Sequence, residues 1–460
     1  MTAPERIEPD AATEKQWART RRWIERLRRQ LRALIPGQER LIELSSTTGW
    51  AFMDRILRMA ANTVFAILLA RWYGPHEYGR LIYAVALVGL FSGLSSMGLE
   101  PLILRDLVQY PERASLLKGT GFALKLIGAA AAALAAVGTL VMLPHGDQGV
   151  LVLVALTAAG VLFQSFDVID LWFQARLQYR RSVFARLPAF ALAMALKFGL
   201  LVARVPLWAI ALASTFELAL AASALLLGYR RAGGRVVSWK ASRSTALALL
   251  ATGWPLGVSS LMMLVYMRID QVMIANMLDH TQTGLYSVAV KLSEVWYLIP
   301  TTLVPLIFPL IVAARATDPD LYYRRLQKLY IYVTWMALAV AVVVSLTSSW
   351  LVDALYGRVY HDAARVLSVN IWAAVFGSQG VARGYWLVAE NLQRFSVWYV
   401  AVGAAANILL NLILIGPLGI LGAACATLVS QALVAVIVPL FIRETRRSAT
   451  MLMKAFFLRF

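Results

Sequence analysis

The chain has 460 residues, of which 60% are hydrophobic and only 15% are charged. This balance is typical of a protein that lies largely inside a membrane, and it excludes an ordinary soluble domain. The formal net charge of +19 would suit a nucleic-acid partner. The positions of the basic residues indicate instead that they orient the chain in the membrane, so we expect no nucleic-acid partner.

Residues 1–45 form a basic extension ahead of the apolar segments. Within residues 13–35, Leu27, Leu31 and Leu34 recur at helical spacing, and arginines occupy most of the remaining positions. This pattern predicts an amphipathic helix lying on an anionic membrane surface, so that membrane lipids are its partners. A solvated basic tail that only fixes the topology is the alternative.

Twelve apolar segments follow, each long enough to cross a hydrocarbon layer as a helix of about 20 residues. They predict an all-α polytopic membrane protein. The predicted spans are residues 46–70, 77–98, 115–143, 149–174, 183–203, 206–229, 248–277, 284–313, 329–352, 365–388, 394–416 and 418–441.

Basic residues alternate between the joints of these spans. The N-terminal extension and the joints after spans two, four, six and eight are rich in arginine or lysine, whereas the intervening joints hold few. The positive-inside rule therefore places both termini of this multi-pass protein in the cytoplasm. A single cysteine, Cys425, and four scattered histidines indicate neither a disulfide framework nor a metal site.

An internal repeat divides the chain. The segment LARWYGPHEYGRLIYAVAL aligns without gaps with MIANMLDHTQTGLYSVAVKL about 205 residues later, so that Gly79 matches Gly284. We therefore expect two six-helix lobes, residues 46–229 and 248–442, related by a parallel pseudo-two-fold repeat. A basic linker, residues 230–247, joins them, and residues 443–460 form a cytoplasmic tail.

Charged side chains inside the predicted spans are the candidate functional residues, because each costs about 2.5–3.5 kcal/mol at the bilayer centre unless it is paired or hydrated. The cations are Arg58, Lys125, Lys197, Arg268 and Lys291, and the acids are Asp54, Glu217, Asp270 and Glu294.

Helical geometry suggests how these groups pair. Asp54 precedes Arg58 by one turn, and Lys197 and Glu217 lie on neighbouring predicted helices. If spans seven and eight form an outward hairpin, these residues lie at similar depths, and we expect Arg268 to meet Glu294 and Asp270 to meet Lys291. Lys125 has no acid in its own helix, so we expect an excess of positive charge in the interior, which suits an anionic substrate. Structural pairing between helices is the competing explanation.

Two further features concern the helices themselves. Asn407 and Asn411 lie one turn apart in span eleven and offer amides either to a neighbouring helix or to a hydroxyl-rich ligand. Pro255 in span seven, and the prolines of span eight, remove backbone donors and are expected to bend or interrupt these helices. No nucleophile elbow, phosphate loop or dinucleotide motif occurs, so we expect no catalytic residue and no enzyme.

Several segments resemble the oligosaccharide-lipid flippases of polysaccharide biosynthesis, often called Wzx-type, within the MOP exporter superfamily. The similarity covers residues 50–440. Its carriers are LARWYGPHEYG, MRIDQVMIANML, TGLYSVAVKLSEVWYLIPTTLVPLIFPLI and NILLNLILIGPLGILGAACATLVSQ. Arg268 and Asp270 fall in the R-x-D segment of the family's seventh helix. The long basic N-terminal extension departs from the family's usual short lead.

The resemblance implies a two-lobed transporter with a cation-lined cavity that moves an undecaprenyl-pyrophosphate-linked glycan from the inner to the outer leaflet of the bacterial cytoplasmic (inner) membrane. Dragging such a headgroup through hydrocarbon would cost tens of kcal/mol, so it needs a hydrated passage while the lipid tail stays outside. We expect alternating access between the lobes. No cofactor is expected, a proton or sodium gradient is the candidate energy source, and polysaccharide polymerases and assembly proteins are candidate partners.

Two other functions remain open. A lipid II flippase or a MATE-like drug or cation antiporter would share the architecture, although an antiporter favours acids in its cavity. A membrane glycosyltransferase or polymerase is disfavoured, because such enzymes usually need a large external loop that carries catalytic residues. The longest external joint predicted here, near residues 353–364, has only about a dozen residues.

Overall fold

The computed structural model describes residues 38–142, 147–315 and 318–458. In these ranges the chain is helical and contains no strand. The amphipathic helix predicted within residues 13–35 lies outside the described residues.

The first half of the described chain contains seven α-helices. They are α1 (Gln38–Ser96), α2 (Leu99–Gln109), α3 (Ala114–Met142), α4 (Gln148–Phe163), α5 (Asp167–Ala175), α6 (Tyr179–Val202) and α7 (Leu207–Arg231). A single 3₁₀ turn, Val236–Ser238, lies in the linker to the second half.

The second half contains nine α-helices and a π-helical turn. The helices are α8 (Arg243–Met277), α9 (His280–Trp296), α10 (Leu298–Val312), α11 (Pro319–Tyr356), α12 (Ala363–Ala389), α13 (Arg394–Leu418), α14 (Ile420–Ala432), α15 (Val438–Phe441) and α16 (Arg446–Phe456). The π-helical turn, Leu433–Ile437, joins α14 to α15.

The protein is a multi-pass membrane protein. Ten helical stretches of the described chain are long and apolar enough to cross a membrane, and many large apolar side chains point outward, such as Leu346, which is 83% exposed. The first stretch contains a sharp turn at Gly74, whose φ of 75° favours glycine, so it covers the first two predicted spans. Helix α12 matches predicted span ten but is not among the ten stretches. The count of twelve spans stays a prediction.

Aspartates fix the starts of three helices. Asp147, Asp279 and Asp318 each accept a hydrogen bond from a backbone N–H in the first turn of α4, α9 and α11, at 2.8–2.9 Å. Such N-caps satisfy donors that have no partner within the helix. The short joints before these helices therefore end at defined residues and set the positions at which the helices enter the bundle.

The predicted eighth span is divided into two helices at Tyr297, which keeps helical dihedral angles, so His280–Val312 remains one stretch long enough to cross a membrane. Helix α9 ends at Trp296 and α10 starts at Leu298, so Pro300 lies in the first turn of α10, where no intrahelical donor is needed. Pro255, by contrast, lies inside the continuous helix α8.

The two halves meet at a reciprocal backbone contact between α1 and α9. A methyl group built on Gly79 would lie 1.7 Å from the carbonyl oxygen of His280, and one built on Gly284 would lie 2.1 Å from the carbonyl oxygen of Pro75. These four residues are pairs of equivalent positions in the sequence repeat. Gly79 meets His280, and the equivalents of these two residues, Gly284 and Pro75, meet each other. A two-fold axis requires such paired contacts, so the arrangement supports the predicted parallel repeat.

The C-terminal segment packs on the bundle. Helix α16 lies along α11, where Gln327 donates to the carbonyl of Met451 at 3.0 Å and Trp335 donates to the carbonyl of Ala455 at 3.0 Å. Leu452 is fully buried in this contact. Residues 446–456 of the predicted tail are therefore an integral helix of the fold.

Candidate functional site

A cavity of about 530 Å³ lies among the helices of the second half. Helices α8, α9, α10, α12, α13 and α14 and the π-helical turn form its walls, and α1 of the first half contributes Arg55 and Met59. Of the charged residues that the sequence analysis predicted to be functional, Asp270 and Glu294 line this cavity. A space of this size is within the range of small-molecule sites.

Asp270 in α8 is the more enclosed of the two carboxylates of the cavity wall, with 6% of the residue exposed. Its carboxylate accepts hydrogen bonds from the hydroxyl of Tyr286 at 2.7 Å, the hydroxyl of Thr427 at 2.6 Å and the amide of Asn411 at 2.6 Å. These donors come from α9, α14 and α13, so one carboxylate ties four helices together.

Asn407 extends this cluster. It is fully buried, and its carbonyl oxygen accepts from the amide of Asn411 at 3.2 Å. The Nδ2 atom of Asn407 and the Oδ1 atom of Asn411 have no hydrogen-bond partner among the described residues. Buried amide groups without partners are costly, so this buried cluster behind Asp270 retains capacity to bind another polar group or an ion.

Asp270 and Lys291 were predicted to form an ion pair, but the described part of the structure shows none between them. Helix geometry explains why. Tyr286, which does reach Asp270, precedes Lys291 by five residues, and five residues rotate a helix by roughly 140° beyond one full turn. Lys291 therefore lies on another face of α9, and it forms no ion pair with any carboxylate that the structure describes.

Arg268 and Glu294 do meet, as the hairpin geometry predicted, but loosely. Their closest nitrogen and oxygen atoms are 3.7 Å apart, and the side chains are 36% and 26% exposed. Glu294 lines the cavity, whereas Arg268 packs toward Gly89 of α1. This pair thus joins the cavity wall to the first half of the chain.

The remaining predicted cations have carboxylate partners. Arg58 pairs with Asp54 at 2.8 Å, and Lys197 pairs with Glu217 at 2.5 Å across α6 and α7. Lys125, which is only 2% exposed, pairs with Glu100 of α2 at 2.7 Å. The expected excess of unpaired cations is therefore not found at these three positions, because each buried ammonium or guanidinium group is neutralised by a neighbouring carboxylate.

Arg383 in α12 is a buried cation of the cavity wall that the sequence analysis missed. It is 3% exposed, donates to the carbonyl oxygens of Val434 at 2.7 Å and Ala435 at 2.5 Å, and stacks over the ring of Tyr399 at 4.7 Å. Among the described residues it has no carboxylate partner. Its position inside predicted span ten was the signal that could have identified it.

The π-helical turn explains the partners of Arg383. A π turn widens the helix and disturbs the regular backbone hydrogen bonds, and Val434 and Ala435 lie within it. The guanidinium donates to these two carbonyl groups while its Nε atom stays without a partner. A positive charge is thereby held at the cavity wall without neutralisation by an acid.

Comparison with known proteins identifies relatives of this chain. A family model described as "Polysaccharide biosynthesis protein" matches residues 68–365. The probable flippase AglR of Haloferax volcanii is 28% identical over 206 residues, which are 42% of this chain. The match covers 41% of that relative, so the similarity spans about two fifths of its length.

Solved structures share the fold at low sequence identity. A multidrug resistance MATE family transporter of the MOP superfamily, in an inward-facing conformation, has a TM-score of 0.69 at 14% identity and covers 86% of this chain and 96% of its own. The lipid II flippase MurJ, in an inward closed conformation, has a TM-score of 0.65 at 13% identity and covers 90% of this chain and 92% of its own. A MOP superfamily transporter from Pyrococcus furiosus has a TM-score of 0.54 at 13% identity and covers 90% of this chain and 95% of its own.

Proposed function

Because the chain belongs to the polysaccharide biosynthesis protein family, we propose that it flips an undecaprenyl-pyrophosphate-linked oligosaccharide from the cytoplasmic to the periplasmic leaflet of a bacterial inner membrane. In this proposal both termini are cytoplasmic. The observation that carries the proposal is a cavity inside a membrane-spanning bundle whose wall carries the charged residues Arg55, Asp270, Glu294 and Arg383. A sugar pyrophosphate needs such an environment, because unpaired charges and polar groups are costly in hydrocarbon.

The cations available to the headgroup are those not committed to a close carboxylate. Arg55 and Arg383 line the cavity, Arg268 is held only loosely by Glu294, and Lys291 has no ion pair in the described chain. Arginine suits a pyrophosphate because its planar guanidinium donates two parallel hydrogen bonds. We assign initial headgroup binding to these four residues, and the amides of Asn407 and Asn411 to sugar hydroxyls or to the coupling ion.

Asp270 is the best candidate for ion coupling. The hydroxyl oxygens of Tyr286 and Thr427 contact this carboxylate, and Asn411, which presents its amide nitrogen in this structure, would offer its carbonyl oxygen after a rotation of the amide. Such a set suits a sodium ion, which prefers hard oxygen ligands, and a carboxylate also binds a proton. Since the ligands come from four helices, an ion bound here favours the helix arrangement that brings them together. An ion shifts a conformational equilibrium only through such a difference in affinity.

The decisive experiment reconstitutes the purified protein with lipid-linked oligosaccharide and measures exposure of the headgroup on the far side of the vesicle. Gly380→Trp is the informative variant, because Gly380 lines the cavity and a side chain there meets no atom within 4 Å at its Cβ. We expect flipping to fall at least tenfold. The matched control is Gly138→Trp in α3, which also has open space at its Cβ and lies away from the cavity. Equal headgroup exposure with and without the protein would exclude the flippase.

Arg268→Ala tests headgroup binding separately. The loose ion pair with Glu294 contributes at most about 1 kcal/mol, so the variant is expected to fold normally and to lose transport. Unchanged transport would return Arg268 to a structural role.

Asp270→Asn tests ion coupling. The variant keeps the size of the side chain and removes its charge, so we expect flipping that no longer responds to an imposed sodium or proton gradient. Asp353→Asn, in the partly exposed pair of Asp353 with His361, is the control. A gradient response that persists in Asp270→Asn would contradict the assignment.

A cation antiporter is the second candidate function, because Asp270 and Glu294 place two carboxylates at the cavity. The fold is shared with a multidrug resistance MATE transporter. Uptake of a fluorescent organic cation into the same vesicles distinguishes the two functions. An antiporter exchanges the cation against protons or sodium ions, whereas the proposed flippase leaves it outside. The shared fold with the lipid II flippase MurJ makes lipid II the first competing cargo to test.

A further inference from the structure

A second pocket, which shares no lining residue with the cavity, contains a buried lysine without an acidic partner. Lys118, in the first turns of α3, is 6% exposed. None of the described carboxylates forms an ion pair with it, although lysine is rarely buried to this degree without one. Lys125, two turns later in the same helix, shows the usual arrangement with Glu100.

Aromatic groups hold the ammonium group of Lys118 in place. Its Nζ atom donates to the hydroxyl of Tyr229 at 2.6 Å. It also lies 4.9 Å from the ring centroid of Trp172 and 4.7 Å from that of Tyr229. Trp239 donates to the same Tyr229 hydroxyl at 3.0 Å. The oxygen of Tyr229 thus accepts two hydrogen bonds, and its own hydrogen remains to be donated to a third group.

The pocket beside Lys118 has a volume of about 280 Å³. Arg176 and Arg235 also line it, and its lining contains no acidic residue. The guanidinium of Arg176 stacks over the ring of Trp172 at 4.2 Å, which orients it at the edge of the pocket. Three cations and one hydroxyl donor therefore converge on one small space.

The linker between the two halves closes this pocket and is itself fixed. The backbone N–H of Lys240 donates to the carbonyl of Ser115 at 3.3 Å, and the backbone N–H of Ser242 donates to the hydroxyl of Thr120 at 3.2 Å. A methyl group on Gly119 would lie 2.3 Å from the carbonyl oxygen of Lys240. This close approach holds the linker against the start of α3.

We propose that this pocket binds a phosphate group, carried either by an anionic phospholipid or by a soluble phosphate. A phosphate offers the negative charge that Lys118, Arg176 and Arg235 lack and the oxygen acceptors that the Tyr229 hydroxyl and the three cations need. The pocket lies where α3 begins and α7 ends, at the end of the bundle that the sequence predicts to face the cytoplasm. Basic pockets on that side of membrane proteins bind lipid headgroups.

The test measures binding by calorimetry to the full-length protein in a neutral detergent and a phosphate-free buffer. The two probes are inorganic phosphate and dihexanoyl phosphatidic acid. We expect saturable binding that weakens with added salt and that falls at least about tenfold in Lys118→Met, which keeps the length of the side chain and removes its charge. Arg176→Met alters an exposed residue, should leave the fold intact, and should also weaken binding. Lys240→Met, which changes a linker lysine outside the pocket, is the matched control and should bind normally.

The two probes distinguish the sources of the phosphate. Tighter binding of phosphatidic acid identifies a lipid headgroup, and equal binding of both probes identifies a soluble phosphate. Absence of saturable binding of either probe to the unaltered protein would overturn the proposal. So would unchanged affinity in both Lys118→Met and Arg176→Met. Neither result would affect the flipping assay, which depends on the other cavity.

Discussion

The ion pair between Lys197 and Glu217 decides whether a predicted substrate-binding cation is structural. Lys197 is 7% exposed at its side chain, Glu217 is 19% exposed, and their charged atoms are 2.5 Å apart. Removing one partner of a buried pair leaves an uncompensated charge and typically costs about 3–5 kcal/mol. We therefore expect Lys197→Met to destabilise the protein by about 3 kcal/mol. This value is at the lower end of the range because the side chain of Glu217 is partly exposed.

The double variant separates this cost from any loss of function. Replacing a buried pair by neutral groups of similar size is often nearly neutral, so Lys197→Met combined with Glu217→Gln should recover most of the lost stability. Unfolding in detergent, followed by circular dichroism during a denaturant titration, measures both values. Arg105→Met, in a pair whose arginine is 51% exposed, is the control and should change stability by less than about 1 kcal/mol.

Three outcomes would refute this reasoning. A cost below about 1 kcal/mol for Lys197→Met would mean that water or lipid headgroups compensate Glu217. A double variant as unstable as the single one would mean that Lys197 acts through packing of its aliphatic chain. Normal stability combined with loss of flipping would return Lys197 to the substrate-binding set.

Three further predictions concern stability, each measured by thermal unfolding. Gly79→Ala places a methyl group 1.7 Å from a carbonyl oxygen of α9 and should cost about 3 kcal/mol or more, whereas Gly138→Ala, with open space at its Cβ, should be neutral or slightly stabilising. Arg383→Met removes two hydrogen bonds to carbonyl groups and should cost about 1–3 kcal/mol; an unchanged melting temperature would show that water replaces the guanidinium. Tyr286→Phe removes one of three donors to Asp270 and should cost about 1–2 kcal/mol, and a stabilised variant would contradict the described hydrogen bond.

Much of the fold could be predicted from the sequence, because hydrophobic length and periodicity decide which segments cross a membrane. The break in the eighth span followed from its prolines. What hydropathy did not supply was the identity of the boundaries. Gly74 makes a turn without ending the helical stretch, and the break before α10 falls at Tyr297, three residues before Pro300. At Gly74 the backbone geometry of one residue makes the turn, whereas Tyr297 keeps helical dihedral angles and Pro300 lacks the N–H that would bond four residues back. An averaged apolar pattern contains neither detail.

Pairing within one hairpin could also be predicted, whereas pairing between distant helices could not. Lys197 and Glu217 lie on consecutive helices, so depth in the membrane restricts their partners. The donors to Asp270 include Asn411 and Thr427, which follow it by 141 and 157 residues. A single sequence contains no information on which of the many helices packs beside α8. The cluster at Asp270 therefore emerged only from the tertiary structure.

The different tightness of the ion pairs reconciles buried pairing with an anionic cargo. A cargo phosphate cannot readily displace Glu217 from Lys197, because that pair is close and largely enclosed. Arg268 is different, since it lies 3.7 Å from Glu294 and is 36% exposed, and such a pair is worth at most about 1 kcal/mol. If the proposed function holds, a pyrophosphate that enters the cavity would compete for Arg268 at little cost. Because the Arg268 side chain also lies beside Gly89 of α1, exchange of its partner would couple cargo binding to the packing of the two halves.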